Sequence, residues 1–231
     1  SRRCEEIGER TLAYAREHGV PVVVLVGSLH VVHDAVISAR IPATLRENGV
    51  LALPMDCLPQ AADLPALTRI AWADAHRALG AALSAQKLGF VYPIWLSAYG
   101  CGPSSFVEQI FAALMAGYPF AVLESDGHGG LAGYVTRVQA FLHTVARHSR
   151  RPHALAQDKL AVLEPLPERD IRADRDAELV LFSFASRLSS AMACVYRSFG
   201  IDAVCAGPNT RETLHLGRRD CSGKECLPYQ L

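Results

Sequence analysis

The chain has 231 residues, half of them apolar, with 23 basic and 23 acidic side chains. That length suffices for one large or two small domains, and the zero net charge argues against a nucleic-acid binder. The longest apolar stretch, residues 20–26, is too short to span a membrane, and no signal segment opens the chain, so we expect a cytoplasmic protein.

Strand-like and helix-like segments alternate through the first 150 residues. The β-branched run at residues 21–27 (PVVVLVG) is typical of a strand buried on both faces of a parallel sheet. Pro93 suggests that the strand predicted over residues 90–97 is an edge, bends or ends there. Two further strands are predicted at residues 50–54 and 119–124, and five helices at residues 5–18, 41–46, 67–88, 105–116 and 131–147.

This alternation predicts an α/β fold, namely a Rossmann-like or flavodoxin-like parallel sheet with helices on both faces. We expect a first domain over residues 1–150 and a proline-rich connector over residues 151–177, with a short strand at 159–163. A partial second α/β domain, truncated at its end, is expected over residues 178–231. Its predicted elements are strands at 178–184 and 202–206 and helices at 189–199 and 211–216.

Seven cysteines are spread over the whole length, an odd number without the dense spacing of a disulfide framework. A metal or redox use is therefore favoured over disulfides. Cys194 and Cys205 lie in apolar stretches and are interpreted as buried thiols, since cysteine is often simply buried. Cys4, near a terminus, is interpreted as an exposed thiol.

Cys101 stands in the most informative segment, SAYGCGPSSFVE, residues 97–108. Glycines flank it on a turn between a strand and a helix, and Ser105 and Glu108 have the spacing of a capping box. A thiolate on such a turn is stabilised by the positive end of the helix. Gly100 and Gly102 leave space for a bulky group against the backbone, at the ligand-binding edge of an open sheet.

Cys221 and Cys226 lie among small and charged residues in GRRDCSGKECLPY, residues 217–229. Cys226 precedes Pro228, where a helix can begin, so its context is similar to that of Cys101. Basic neighbours would offset the negative charge of a thiolate-ligated cluster. Paired CxxC units are absent from the sequence, which makes a structural zinc site less favoured here.

A glycine-rich turn, ESDGHGGLAG, occupies residues 124–133 between a strand and a helix. Such turns can bind phosphate through backbone N–H groups, and this makes Gly127, Gly129 and Gly130 candidate cofactor-binding residues. Asp126 would repel an anion, so it is equally plausible that these glycines only form a turn and bind nothing. His128 is a candidate for acid–base catalysis or, alternatively, a surface residue.

Two histidines and one further cysteine follow the first two predicted strands. His30 and His33 have a spacing that could bind metal, with Asp34 the only nearby carboxylate or thiol, although structural or substrate-contact roles are favoured. Cys57 follows the second strand, on the same sheet edge as Cys101, and is either an additional ligand or a buried thiol.

Three motifs together resemble the 2-hydroxyacyl-CoA dehydratase family and its activase-related relatives, including the double-cubane cluster proteins. They are YGCGP at residues 99–103, ESDGHGG at 124–130, and LGRR with SGKECLPY between residues 216 and 229. The resemblance covers most of the chain from about residue 21 onward, and the last motif is the most specific. It implies two Rossmann-like or flavodoxin-like domains with an iron–sulfur cluster, a 4Fe–4S cubane or a bridged double cubane, held by cysteines between them.

By that resemblance Cys101 and Cys226 are the leading cluster ligands and Cys221 is the third candidate. Family members pass a low-potential electron, and an ATP-dependent activator protein or domain supplies the hydrolysis. The implied role is an electron-transfer component of a 2-hydroxyacyl-CoA dehydratase system. The implied partners are the activator and an acyl-CoA substrate, in an oligomer. No actin-like ATPase domain is visible in this sequence.

Two alternatives stay open on sequence grounds. One is a cluster-free α/β module that binds a partner subunit or a CoA-like ligand through its glycine-rich turns. The other is a thiol-redox enzyme in which Cys221 and Cys226 form an exchangeable pair.

Overall fold

The computed structural model describes residues 2–59, 70, 72–98, 101–125, 131–150, 178–181, 186–208 and 210–219. The chain divides into two compact units, Ser1–Glu164 and Pro165–Leu231. The predicted connector at residues 151–177 and its strand at 159–163 lie outside the described residues. Among the described helices, none combines the length and apolar character needed to cross a membrane.

The first unit is an α/β structure around a parallel sheet of four strands, so the predicted fold class is confirmed. Its strands are β1 (Val22–Gly27), β2 (Leu51–Pro54), β3 (Val91–Ala98) and β4 (Ala121–Ser125). Its helices are α1 (Arg2–His18), α2 (Leu29–His33), α3 (Ile41–Glu47), α4 (Ala73–Leu88), α5 (Gly102–Met115) and α6 (Leu131–Arg150), with a short 3-10 helix at Met55–Cys57.

Every residue of β1 is buried, as its unbroken apolar sequence predicts for a strand covered on both faces. Helix α4 packs against β1 and β3 and contacts α5, whereas α3 packs against β2 and contacts α6. Right-handed crossovers that run in opposite directions across a sheet place their helices on opposite faces. The core is therefore one sheet between two helical layers.

The strand order is β2-β1-β3-β4. The chain moves from β1 outward to β2, then crosses over to β3 on the other side of β1 and continues to β4. The order thus reverses between β1 and β3, and the loops that follow these two strands leave in opposite directions. In open α/β sheets such a switch point leaves a crevice at the carboxyl ends of the strands, where ligands bind.

Pro93 lies inside β3, which pairs with β1 from Val91 onward. Pairing between β3 and β4 begins only at Ile94, so at Pro93 the strand has a neighbour on one side alone. At Pro93, β3 is therefore an edge on one side only, as one of the predicted alternatives has it. The strand continues beyond Pro93 to Ala98. A proline is tolerated at such a position because its missing N–H is not required on the open side.

Helix α5 begins earlier than predicted, and the capping box of Ser105 and Glu108 is wrong. Cys101 is the N-cap residue, and Pro103 lies in the first turn, where its ring favours the helical backbone. Ser105 is already helical, and its hydroxyl donates back to the carbonyl oxygen of Cys101 at 2.8 Å.

The described part of the second unit contains one strand–helix–strand motif. Its elements are β5 (Leu179–Leu181), α7 (Ser186–Ser198), β6 (Ala203–Cys205) and a final helix, α8 (Arg211–Arg219). Strands β5 and β6 are parallel, and α7 packs against both. The predicted second domain over residues 178–231 stays a prediction, because much of that range lies outside the described residues.

Gly8 allows α1 to lie directly against the 3-10 helix that follows β2. A Cβ atom at this position would overlap the carbonyl oxygen of Cys57. The backbone approach therefore requires glycine, although a glycine inside a helix costs about 1 kcal/mol relative to alanine.

Replacing Gly8 with alanine should destabilise the first unit by about 1–3 kcal/mol, because the new methyl group forces α1 away from Cys57. Gly133 in α6 has open space around it, so Gly133→Ala is the matched control and should be neutral or stabilising by up to about 1 kcal/mol. Urea unfolding midpoints measure both. Equal midpoints for the two variants would contradict the close packing of α1.

Candidate functional site

Cys101 lies at the carboxyl end of β3, as the N-cap residue of α5. Its backbone is extended (φ −70°, ψ 117°), and its side chain makes no capping hydrogen bond. The backbone closes the turn instead, since Cys101 N–H donates to Ala98 and its carbonyl accepts from Ser105 N–H at 3.0 Å. The thiol is half-buried, at the positive end of a helix of 14 residues.

A cavity of about 420 Å³ lies at the switch point between β1 and β3. Its walls come from the loops after these two strands, from the start of α4 and from α5. The lining residues are Gly27, Ser28, His30, Trp72, Ala73, Asp74, Ala75, Trp95, Cys101, Pro103, Ser104 and Val107. The volume falls within the range of about 300–1,000 Å³ that is typical of small-molecule and cofactor sites.

Trp95 contributes a buried donor to the lining of this cavity. Its side chain is 2% exposed and packs against Phe111, with ring centroids 5.3 Å apart. Its Nε1–H has no acceptor among the described residues. A buried donor without a partner is costly, by roughly 1–3 kcal/mol.

Asp74 and Gly27 shape the β1 side of the cavity. The carboxylate of Asp74, in the first turn of α4, accepts the Leu29 N–H at 3.1 Å and so caps α2. Gly27 ends β1 with φ +141°, and a Cβ there would overlap the carbonyl oxygen of Leu96. Glycine thus lets β1 and β3 stay close up to the rim of the cavity.

Of the residues predicted from sequence, Cys101 lines the cavity and Gly102 is the first residue of α5. The other predicted ligands and cofactor-binding residues lie outside the described residues: Cys221, Cys226, Gly100, Gly127, Gly129 and Gly130. His128 and Asp126 lie outside them as well. Their roles stay predictions.

His30 and His33 contact different parts of the protein, so among the described residues they form no metal-binding group with Asp34. His30 lines the cavity, whereas Nε2 of His33 is 3.0 Å from Oδ1 of Asp56. The Asp34 carboxylate instead accepts the backbone N–H groups of Val36 and Ile37, each at 2.8 Å. These two hydrogen bonds lower the pKa of Asp34.

Cys57 follows β2 on the predicted edge but does not line the Cys101 cavity. Strand β1 lies between β2 and β3, which separates the two strands by roughly 9.5 Å. Cys57 instead meets Cys4, which is half-buried, so the predicted exposed thiol at Cys4 is wrong. The possible ligand atoms of Cys4, Asp56 and Cys57 all lie within 4.8 Å of one another.

This second group was missed because Cys4 and Cys57 are far apart in sequence. The signal that could have found it is Gly8, one helical turn after Cys4 on the same face of α1. Burial raises the pKa of the Cys57 thiol to about 11, and the charges of Asp56 and Cys4 add to the effect.

The expectation for Cys194 is wrong, and Cys205 is only half-buried. Cys194 is exposed on α7, where its sulfur accepts a hydrogen bond from the Arg197 guanidinium at 3.2 Å. Its apolar neighbours in sequence face other directions, because successive residues on a helix point about 100° apart.

The chain matches no protein-family model, no curated protein and no solved structure.

Alkylation should separate Cys57 from the exposed Cys194. A thiol with a pKa of about 11 is only about 0.3% thiolate at a pH of about 8.5, where an ordinary thiol is about half ionised. With iodoacetamide and peptide mass spectrometry on metal-free protein, we expect Cys194 to react at least tenfold faster near neutral pH. The Cys57 rate should still be rising above a pH of about 9, and a plateau there would contradict the raised pKa.

Proposed function

We propose that this chain is an iron–sulfur electron-transfer component of a 2-hydroxyacyl-CoA dehydratase or related activase system, with Cys101 as a cluster ligand. The observation that carries the proposal is the position of the Cys101 thiol, at the start of α5 and in the wall of a cavity at the sheet's switch point. The sequence resemblance supplies the reaction class.

The helix start suits a thiolate ligand. The first N–H groups of a helix have no partner within the helix, and together with the helix dipole they stabilise negative charge at the N-cap. Because the Cys101 backbone closes the turn, its sulfur is not needed for capping and is available as a ligand.

The cavity wall also fits a sulfur-rich group. Trp95 offers a buried N–H that lacks an acceptor among the described residues, and hydrogen bonds to sulfur tune a cluster's potential. Tryptophan, valine and proline side chains keep the cavity wall largely apolar, which limits access of water. When bound, the cluster supplies one-electron transfer at low potential.

We propose Cys226 as the next cluster ligand and Cys221 as the third candidate. Only the sequence motif supports these two residues. An ATP-dependent activator is the proposed electron donor, and an acyl-CoA is the proposed substrate of the system. Gly127, Gly129 and Gly130 are the proposed phosphate-binding residues of the glycine-rich turn, beside Gly100 and Gly102 at the Cys101 turn.

A second candidate is a cluster-free module that binds a CoA-like ligand. The cavity volume favours it, as does the Trp95 N–H, which would suit an amide carbonyl such as that of a pantetheine arm. The Asp74 carboxylate in the wall disfavours a phosphate group at the same place, as it also disfavours the negative charge of a thiolate-ligated cluster.

Cys101→Ala should lose at least half of the iron and acid-labile sulfide that wild-type protein holds after anaerobic reconstitution, because a cluster ligand is removed. Cys194→Ala, which removes an exposed thiol on α7, is the matched control and should keep both. Iron and sulfide assays with visible absorption measure the outcome. Equal iron in the Cys101 variant and wild type would refute the ligand role, and colourless wild-type protein would favour the second candidate.

Trp95→Phe should make the cluster's midpoint potential more negative. A hydrogen bond to sulfur stabilises the reduced, more negative state, and about 1 kcal/mol of such stabilisation corresponds to roughly 40 mV for one electron. Trp72→Phe is the control, since Trp72 is 43% exposed and water can solvate its N–H. A potentiometric titration in which both variants match wild type would show that Trp95 donates no such bond.

A further inference from the structure

We propose that Cys4, Asp56 and Cys57 form a zinc site that joins helix α1 to the carboxyl end of β2. Zinc would be bound by two thiolates and one carboxylate, and His33 would support the carboxylate. The site is separate from the Cys101 cavity, with which it shares no lining residue. It therefore does not depend on the proposed electron-transfer function.

The possible ligand atoms lie close enough together to close around a zinc ion. Zinc–sulfur bonds of about 2.3 Å and zinc–oxygen bonds of about 2.1 Å place neighbouring ligands about 3.5–3.8 Å apart. In this protein the two sulfurs and a carboxylate oxygen lie within 4.8 Å of one another. Closing around an ion needs movements of about 1 Å or less, which side-chain rotation supplies.

The backbone places these side chains through one close contact. Gly8 brings α1 against the carbonyl oxygen of Cys57, and Cys4 lies one turn before Gly8 on the same helix face. Asp56 and Cys57 belong to the 3-10 helix that follows β2 directly. The three ligands thus come from two elements whose contact is fixed by a glycine.

His33 supplies the outer contact expected of a built metal site. Its Nε2 is 3.0 Å from Oδ1 of Asp56, which leaves the second carboxylate oxygen for the ion. Carboxylates that bind metals are commonly held by such hydrogen bonds, and removing an outer partner typically lowers affinity by about 10- to 100-fold.

The donor set selects zinc among the divalent ions. Thiolates are poor ligands for magnesium and calcium, which take oxygen, whereas zinc accepts sulfur and oxygen together. Metal binding releases the thiol protons, and a divalent cation then offsets most of the repulsion among two thiolates and a carboxylate in this half-buried space. Three protein ligands leave a fourth position for water.

Zinc binding to chelator-stripped, reduced protein tests the site, with zinc alone as the probe. We expect Cys4→Ser and Cys57→Ser each to lose one zinc equivalent relative to wild type, by competition with a chromophoric chelator. Cys194→Ser, which removes an exposed thiol outside both proposed metal sites, is the matched control and should keep that equivalent. Unchanged stoichiometry in the Cys4 and Cys57 variants would overturn the proposal.

Two further variants test whether a loss of zinc binding could come from misfolding alone. Asp56→Asn preserves volume and should abolish the zinc-induced rise in melting temperature that we expect for wild type. His33→Gln should weaken zinc by about 10- to 100-fold with the metal-free melting temperature unchanged. Wild-type zinc affinity in Asp56→Asn would overturn the proposal.

Cobalt separates metal binding from a disulfide. Cobalt-loaded wild type should show thiolate-to-metal charge-transfer absorption that disappears in Cys57→Ser. Recovery of Cys4 and Cys57 as a disulfide, together with no zinc or cobalt binding after reduction, would overturn the metal site in favour of a redox pair.

Discussion

The first unit depends on the complete burial of β1 between two helical layers. Burying six consecutive residues on both faces fixes which strands can flank β1, because only parallel neighbours reached by helical crossovers cover both faces. Strands β2 and β3 lie on the two sides of β1. The loops that follow β1 and β3 therefore leave the sheet in opposite directions at the carboxyl ends of these two strands. The cavity that contains Cys101 is thus a product of chain topology, and its lining residues come from segments far apart in sequence.

Local patterns predicted the sheet and most helices, because apolar periodicity reports burial directly. The β-branched run of β1 and the glycine-flanked turn at Cys101 are examples in which neighbouring residues carry the information. Two local features were nevertheless predicted wrongly or missed. Ser105 does not cap α5, because the ring of Pro103 favours an earlier start of the helix. No local pattern in the sequence indicated the five-residue helix α2.

The site was predictable only in part, since tertiary contacts decide which side chains meet. Cys101 could be placed on the correct edge because its strand and helix were both recognised. Cys57 was placed on the same edge, but the strand order separates it from Cys101 and the approach of α1 gives it Cys4 as a neighbour. His30 and His33 likewise lie within one short helix, but His30 lines the cavity and His33 contacts Asp56. The spacing of residues along the sequence cannot predict which of these side chains meet, because their contacts depend on packing between distant segments.

The chain contains two tryptophans, and both line the Cys101 cavity. Intrinsic tryptophan fluorescence of the whole protein therefore arises from the walls of this one space. A metal cluster there would quench the emission by energy or electron transfer, and an organic ligand would shift its wavelength by changing the polarity around the indoles. The protein thus carries a built-in optical reporter of cavity occupancy, without any label.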